Sequence, residues 1–197
     1  MAVEVETPHG PALAHLQEAP GARALMVLGH GAGGGVGAPD LMDATRVALE
    51  EDVSVVLVEQ PYRVAGRRSP APPKQLDAAW IAVVAELSTG IPLITGGRSS
   101  GARVACRTAA ATGAAAVLCL AFPVHPPGKP EKTRLDELDG VEVPVLVVQG
   151  QSDPFGMPEP RPPLREVAAV PGDHGLKKDR AALAQAVRDW LRALPVS

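Results

Sequence analysis

Residues 91–101 read Ile-Pro-Leu-Ile-Thr-Gly-Gly-Arg-Ser-Ser-Gly, and they give the clearest indication of the architecture of the chain. Its apolar part, residues 92–95, predicts a strand, and the alanine-rich residues 102–111 that follow predict a helix. Between them lies a Gly-x-Ser-x-Gly pattern, residues 97–101. The glycines permit a strand-to-helix turn too tight for side chains at the flanking positions, and such a turn exposes the hydroxyl of Ser99.

The rest of the chain alternates in the same way between short apolar runs and amphipathic segments. Further strands are predicted at residues 25–28, 53–58, 115–122, 143–149 and 167–170, and further helices at 38–50, 74–87 and 179–194. Residues 1–20 can add antiparallel edge strands, and 61–73 and 123–130 are predicted loops. Continuous apolar strands that alternate with helices indicate a mostly parallel sheet covered on both faces. We predict one α/β domain over residues 1–197, without a cap domain, because no block of extra helices interrupts the strands.

Composition excludes several classes of protein. A chain of 197 residues with 46% hydrophobic residues is large enough for one buried core. Its net charge of -3 gives no reason to expect nucleic acid or an anionic membrane as a partner. No apolar run has the roughly 18 residues that span a bilayer, and the acidic first residues do not resemble a secretory signal. Cys106 and Cys119 match no metal-ligand spacing and are predicted to be buried thiols, as expected in the cytoplasm.

Two residues downstream of Ser99 can make its hydroxyl reactive. A hydroxyl needs a base to become a good nucleophile, and that base needs an acid to orient it. His174 lies between the last predicted strand and the last predicted helix, and Asp153 follows the strand at 143–149. The order Ser, Asp, His at successive strand ends predicts Ser99 as nucleophile, Asp153 as acid and His174 as base. Asp173 is the weaker candidate for the acid; a surface histidine and an Asp-Pro turn are the alternatives.

Backbone N–H groups that could stabilise an oxyanion are predicted at two places. The N–H of Ser100 lies at a helix N-terminus, where the partial charge is positive. A second donor is expected from the glycine-rich residues 29–34, at Ala32 or Gly33, since glycines let the backbone approach a substrate. We expect His30 to support this loop by hydrogen bonding. The candidates for lining the substrate site are His30, Arg98, His125 and Phe155; a structural salt bridge is the alternative for the arginine.

The same glycine-rich loop admits a different interpretation. Residues 29–34 also match the Gly-x-Gly-x-x-Gly pattern of dinucleotide-binding proteins, and Glu59 stands at the end of the next strand. Residues 29–37 contain six glycines, so such a match arises easily by chance. A dinucleotide site would also leave the serine, aspartate and histidine without a role.

Taken together, these segments resemble a known family. The chain is similar to small α/β-hydrolases without a cap, which include testis-expressed hydrolase-like proteins and a subunit of the NSL chromatin complex, and more distantly to dienelactone hydrolases. The resemblance runs from about residue 20 to the end and is carried by residues 28–33, 96–103, 122–128, 149–156 and 172–174. It implies an α/β-hydrolase fold with Ser99, Asp153 and His174 as the triad. Dienelactone hydrolases have cysteine where this chain has Ser99, so their chemistry is not implied.

The sequence therefore predicts a serine hydrolase that cleaves a small ester or thioester through an acyl-enzyme. We expect a small-molecule acyl substrate, no metal or organic cofactor, and a monomer or homodimer. Aromatic residues make up only 3% of the chain, which favours a shallow site. A binding or scaffold protein without catalytic activity is the alternative from another class, and the intact set of three residues argues against it.

Overall fold

A computed structural model describes residues 1–87 and 90–195, in which eight strands form one sheet. The order across the sheet is β1-β2-β4-β3-β5-β6-β7-β8, and the ranges are β1 Ala2–Val5, β2 Ala12–Gln17, β3 Ala24–Gly29, β4 Val53–Glu59, β5 Leu93–Arg98, β6 Ala116–Leu120, β7 Val145–Gly150 and β8 Arg165–Val170. β1 pairs with β2, and β2 with β4, in the antiparallel sense. The other neighbours are all parallel. The mostly parallel sheet with antiparallel edge strands is confirmed.

Helices cover both faces of this sheet. Their ranges are α1 Pro39–Glu50, α2 Pro61–Val64, α3 Pro73–Glu86, α4 Ser100–Thr112, α5 Leu135–Asp139 and α6 Arg180–Ala193. α1 and α6 share one core with β3 residues such as Met26, whereas α3 packs against the opposite face with residues such as Val27. Alternate side chains of β3 are thus buried on opposite faces, which explains why the strand is apolar throughout.

The observed elements differ from the sequence prediction at several places, and three of them have a clear physical reason. β5 continues to Arg98, three residues beyond its predicted end, so two glycines lie within the strand. β6 ends at Leu120 instead of residue 122, because Ala121 adopts a positive φ of 52° and turns the chain. α2 lies inside residues 61–73, which were predicted as a loop, since one helical turn is too short to show a periodicity.

The order of the strands determines where a site can form. From β3 the chain first adds β4 on one side and later β5 on the other, so the direction of winding reverses between β3 and β5. In open α/β sheets, ligands bind outside the carboxyl ends of the strands at such a reversal. The glycine-rich loop leaves β3 at this point, and Ser99 follows β5. No helix in the part of the chain described here is both long and apolar enough to cross a membrane.

Candidate active site

Ser99 lies in a strained turn between β5 and α4. Its backbone has φ 52° and ψ −106°, a region that residues other than glycine rarely occupy. The Ser99 N–H donates a 2.9 Å hydrogen bond to the Leu120 carbonyl at the end of β6. Strain of this kind persists only where the surrounding structure enforces it, and it concentrates at functional sites.

The glycines of this turn allow it to touch strand β3. A Cβ atom at Gly97 would lie 2.4 Å from the Gly29 carbonyl oxygen, and one at Gly101 would lie 2.3 Å from the same atom. Real Cβ atoms do not approach oxygen so closely. The glycines are therefore required by contact with the neighbouring strand as well as by the tightness of the turn.

Three predicted side chains meet at this turn and form a chain of hydrogen bonds. The Ser99 Oγ lies 3.0 Å from Nε2 of His174, and Nδ1 of His174 lies 2.8 Å from Oδ2 of Asp153. A carboxylate accepts hydrogen bonds only, so the Nδ1–H donates to Asp153 and leaves Nε2 free to accept the serine proton. The Asp153 side chain is only 1% exposed. This is the arrangement that a serine nucleophile with a histidine base requires.

The carboxylate of Asp153 is held by two further donors. Its Oδ1 accepts a 2.8 Å hydrogen bond from the Phe155 N–H, and its Oδ2 accepts a 2.9 Å bond from Nε2 of Gln149. Gln149 is fully buried, and the same amide nitrogen also contacts the carbonyls of Phe122 and Gly156. Sequence analysis missed this glutamine, although a polar residue at the end of an otherwise apolar strand is a signal that could have revealed it.

Asp173, the weaker candidate for the acid, lies outside this chain of hydrogen bonds. It is exposed, and its Oδ1 accepts a 2.9 Å hydrogen bond from the N–H of Gly175. Such a bond to the residue two positions on is typical of an aspartate that stabilises a turn.

One predicted source of oxyanion donors, Ser100, directly follows Ser99, and the other, the glycine-rich loop, packs close to Arg98 of the same turn through Gly31. Ser100 is the first residue of α4, so its N–H has no partner within the helix. Ala32 and Gly33 lie in a turn closed by a 3.2 Å bond from the Gly34 N–H to the Gly31 carbonyl. Within residues 1–87 and 90–195, neither the Ala32 nor the Gly33 N–H donates a hydrogen bond. All these N–H groups are free to bind an anionic oxygen.

His30 lies beneath the glycine-rich loop and is only 3% exposed. Its Nδ1 lies 2.8 Å from the Gly31 carbonyl, and its Nε2 accepts a 3.2 Å bond from the Gln60 N–H. Because Nε2 accepts, the imidazole is neutral, with its proton on Nδ1. Burial lowers the pKa of His30 and keeps it in that form. A side chain so buried ties the loop to the end of β4 and is poorly placed to line a substrate.

The depressed pKa of His30 predicts a pH dependence of stability. The unfolded chain binds a proton at His30 below about pH 6.5, whereas the folded protein resists it, so the free energy of unfolding falls as the pH drops below that value. The His30→Gln variant should show a shallower decrease than the wild type in urea unfolding at pH 7, 6 and 5. His9→Gln, at an exposed histidine, is the control. Equal slopes for wild type and His30→Gln would contradict the prediction.

Of the other predicted lining residues, Phe155 and Arg98 contact His174, and His125 contacts Phe155. The Phe155 ring stacks on the His174 imidazole at a centroid distance of 4.1 Å. His125 is half-buried; its N–H donates to the Phe155 carbonyl and its Nδ1 lies 2.9 Å from the Pro126 carbonyl. Arg98 forms the structural salt bridge that was the alternative to substrate binding: its Nε binds Asp40, and its Nη2 binds the His174 carbonyl.

The dinucleotide interpretation does not fit this geometry. A dinucleotide loop leads directly into a helix whose N-terminus faces the pyrophosphate. Here α1 begins only at Pro39, five residues after Gly34. Glu59, the candidate ribose ligand, has its Oε1 2.7 Å from Nε2 of His15.

Neither the two cysteines nor the possible metal ligands of residues 1–87 and 90–195 form a second centre. Cys106 and Cys119 are both buried, as predicted, and their sulfur atoms lie 3.5 Å apart in the reduced form. Burial and the neighbouring thiol raise the pKa of Cys106 well above its usual value, which makes it a poor nucleophile. Among the described residues, no group of three or more histidine, cysteine, aspartate or glutamate side chains is placed to hold a metal ion.

The doubly wound sheet, the strained serine turn and the absence of an inserted helical block in the described residues define an α/β-hydrolase fold without a cap. A family model described as "Alpha/beta hydrolase domain" matches residues 22–188. The chain belongs to that family.

Solved structures support the same fold at low sequence identity. A serine hydrolase of the α/β class without a lid, from Xanthomonas campestris, is 23% identical with a TM-score of 0.79, covering 100% of this chain and 96% of that one. Dienelactone hydrolase from Anabaena variabilis is 16% identical with a TM-score of 0.76, covering 98% and 97%. An esterase from Pyrococcus furiosus is 14% identical with a TM-score of 0.75, covering 98% and 89%. No curated protein matches the chain in a sequence search.

Proposed function

We propose that this chain is a serine hydrolase that cleaves a small ester or thioester through an acyl-enzyme. One observation carries the proposal: Ser99, His174 and Asp153 are joined by hydrogen bonds of 3.0 and 2.8 Å at the reversal point of the sheet. Arranged in this way, a serine, a histidine and an aspartate can carry out acyl transfer without a metal or an organic cofactor.

Each step of the reaction uses a group already described. His174 Nε2 takes the proton from Ser99 Oγ while that oxygen attacks the substrate carbonyl carbon. The N–H groups of Ser100 and of Ala32 or Gly33 stabilise the resulting oxyanion. The imidazolium, oriented by Asp153, gives its proton to the departing alcohol or thiol as the bond to the acyl group breaks. Water then attacks the acyl carbon and gives a proton to His174, the bond from that carbon to Ser99 Oγ breaks, and Oγ takes the proton back from His174 as the acid is released.

The architecture around the serine turn favours small acyl groups. The described residues contain no cap domain that could enclose a long acyl chain, so such a chain would lie on the open surface, where it gains less from burial. The cavity that Ser100 lines together with Trp80 and Val104 has a volume of about 10 Å³, about enough for one water molecule, and neither Ser99 nor His174 lines it. We infer a substrate with a short acyl group.

The test is covalent labelling with a fluorophosphonate probe, followed by peptide mapping and a panel of p-nitrophenyl esters and acyl thioesters. We expect one adduct, on the peptide that contains Ser99, and rates that fall as the acyl chain lengthens. A folded protein that is not labelled and hydrolyses nothing in the panel would contradict the proposal and favour the scaffold role. Three expectations from the sequence stay predictions. They are the narrower likeness to testis-expressed and NSL-subunit proteins, the cytoplasmic location, and the state as a monomer or homodimer.

Replacing Gln149 tests whether its side-chain amide positions the carboxylate of Asp153. Gln149→Leu removes the amide that donates to Asp153, so the carboxylate loses one of its three donors and holds His174 less firmly. Hydrogen bonds to charged groups contribute about 1.5–3 kcal/mol, so kcat for a short ester should fall about 10- to 100-fold. Gln151→Leu, at an exposed glutamine on the same turn, is the control. Wild-type kcat in Gln149→Leu would show that this amide does not position the acid.

A further inference from the structure

Arg98 connects three segments that the proposed reaction needs together. It is the residue before Ser99, so its backbone is part of the serine turn. Its Nε donates a 3.2 Å hydrogen bond to Oδ2 of Asp40, in the first turn of α1. Its Nη2 donates a 2.9 Å bond to the backbone carbonyl of His174. The guanidinium therefore links the loop that carries the base to the turn that carries the nucleophile.

The same side chain supports the glycine-rich loop. A Cβ atom at Gly31 would lie 3.1 Å from Nη1 and 3.2 Å from Cδ of Arg98, so the loop backbone lies directly on the arginine. Gly31 precedes Ala32 and Gly33, the candidate oxyanion donors. Because Gly31 has no Cβ, the loop backbone can pack close to this side chain.

We propose that Arg98 is a positioning residue, which sets the distance between Ser99 and His174 and seats the glycine-rich loop against the same turn. This inference rests on the proposed function. Asp153 orients the imidazole ring but leaves the backbone of residue 174 free to move; the bond from Nη2 holds that backbone directly. A displacement of 1 Å in such a site can cost about 100-fold in rate.

The surroundings of Arg98 favour positioning over substrate binding. Asp40 is 2% exposed, and burial raises the pKa of its carboxyl group, which the Arg98 guanidinium opposes. A buried carboxylate needs a charged partner, and this requirement holds the half-buried arginine side chain in place. The planar guanidinium can reach two acceptors on different segments at once, whereas a lysine ammonium acts as a single point of charge.

Two variants separate the bond to His174 from the ion pair. Arg98→Met combined with Asp40→Leu removes both charges, so no unpaired carboxylate is left buried. Arg98→Lys keeps the charge opposite Asp40 and loses the planar fork. The matched control is Arg103→Met in α4. Its arginine is exposed to a similar extent and bonds Glu137, which retains Arg107 as a partner.

Five quantities are compared with the wild type: kcat and KM for a short ester, the rate of fluorophosphonate labelling, the unfolding temperature, and the downfield proton resonance of His174 Nδ1–H. For both Arg98 variants we expect kcat and the labelling rate to fall about 10- to 100-fold with little change in KM. We also expect the resonance to shift or broaden. A structural role alone would lower the unfolding temperature and leave kcat and the resonance unchanged, as we expect for Arg103→Met.

Each other outcome has a defined meaning. Wild-type kcat and resonance in a folded Arg98 variant would overturn the positioning role. An increase in KM at unchanged kcat would also overturn it, because Arg98 would then bind the substrate. Should the double variant fail to fold, Arg98→Lys decides by the same criteria. If the wild type itself is neither labelled nor active, the proposed function fails, and the His174 resonance alone still tests whether Arg98 positions this loop.

Discussion

Ser99→Ala is expected to lower kcat for a short ester by about 10⁶-fold, as removal of the nucleophile does in other enzymes with this arrangement. Alanine keeps the Cβ and the backbone of the turn but lacks the Oγ that lies 3.0 Å from His174. No acyl-enzyme can form without that oxygen. Steady-state kinetics and fluorophosphonate labelling measure the loss, and we expect labelling to disappear completely.

The control for this variant is Ser69→Ala, at an exposed loop serine. It should be labelled at the wild-type rate. The unfolding temperature of Ser99→Ala should remain close to that of the wild type, since only one oxygen is removed. Undiminished labelling of Ser99→Ala would exclude Ser99 as the nucleophile.

Gly101→Ala is expected to have the largest effect on stability. The new Cβ would lie 2.3 Å from the carbonyl oxygen of Gly29 and 2.5 Å from its carbonyl carbon. Both are backbone atoms of a strand paired on both sides, so neither can move aside without disturbing the sheet. Overpacking of this kind costs about 3 kcal/mol or more in the free energy of unfolding. Urea unfolding monitored by circular dichroism measures it.

Gly35→Ala is the matched control for the glycine prediction. A Cβ atom at Gly35 would meet nothing within 4 Å, and Gly35 does not have a positive φ. The free energy of unfolding of Gly35→Ala should therefore differ from that of the wild type by no more than about 0.5 kcal/mol. Equal stabilities for Gly101→Ala and Gly35→Ala would show that the serine turn does not press against β3.

Much of the fold could be predicted because the parallel strands are apolar throughout. Side chains such as Met26 and Val27 are buried on opposite faces of the sheet. A continuous run of hydrophobic residues therefore predicts where such a strand lies. The end of β6 could not be predicted, since nothing about Ala121 in the sequence indicates its positive φ. The single turns α2 and α5 are too short for a periodic pattern to show.

The site could be predicted in part for a different reason. The order of Ser99, Asp153 and His174, each after a strand, is visible in the sequence because strand ends of a parallel sheet converge. The hydrogen bonds of Arg98 could not be predicted, because Asp40 and His174 lie far from it along the chain. The sequence also does not distinguish a solvated arginine from one that forms structural bonds. Contacts between residues far apart along the chain produce no periodic pattern in a single sequence, so they cannot be predicted from it.

The position of Trp80 has a practical consequence for kinetic work. The chain has two tryptophans, and Trp80 packs behind the serine turn whereas Trp190 lies on the opposite face of the sheet. The indole of Trp80 borders the small cavity beside Ser100, so its emission is sensitive to events at that end of α4. We therefore expect the intrinsic fluorescence of Trp80 to change when the proposed acyl-enzyme forms and breaks down, which would allow kinetic measurements with substrates that release no coloured product.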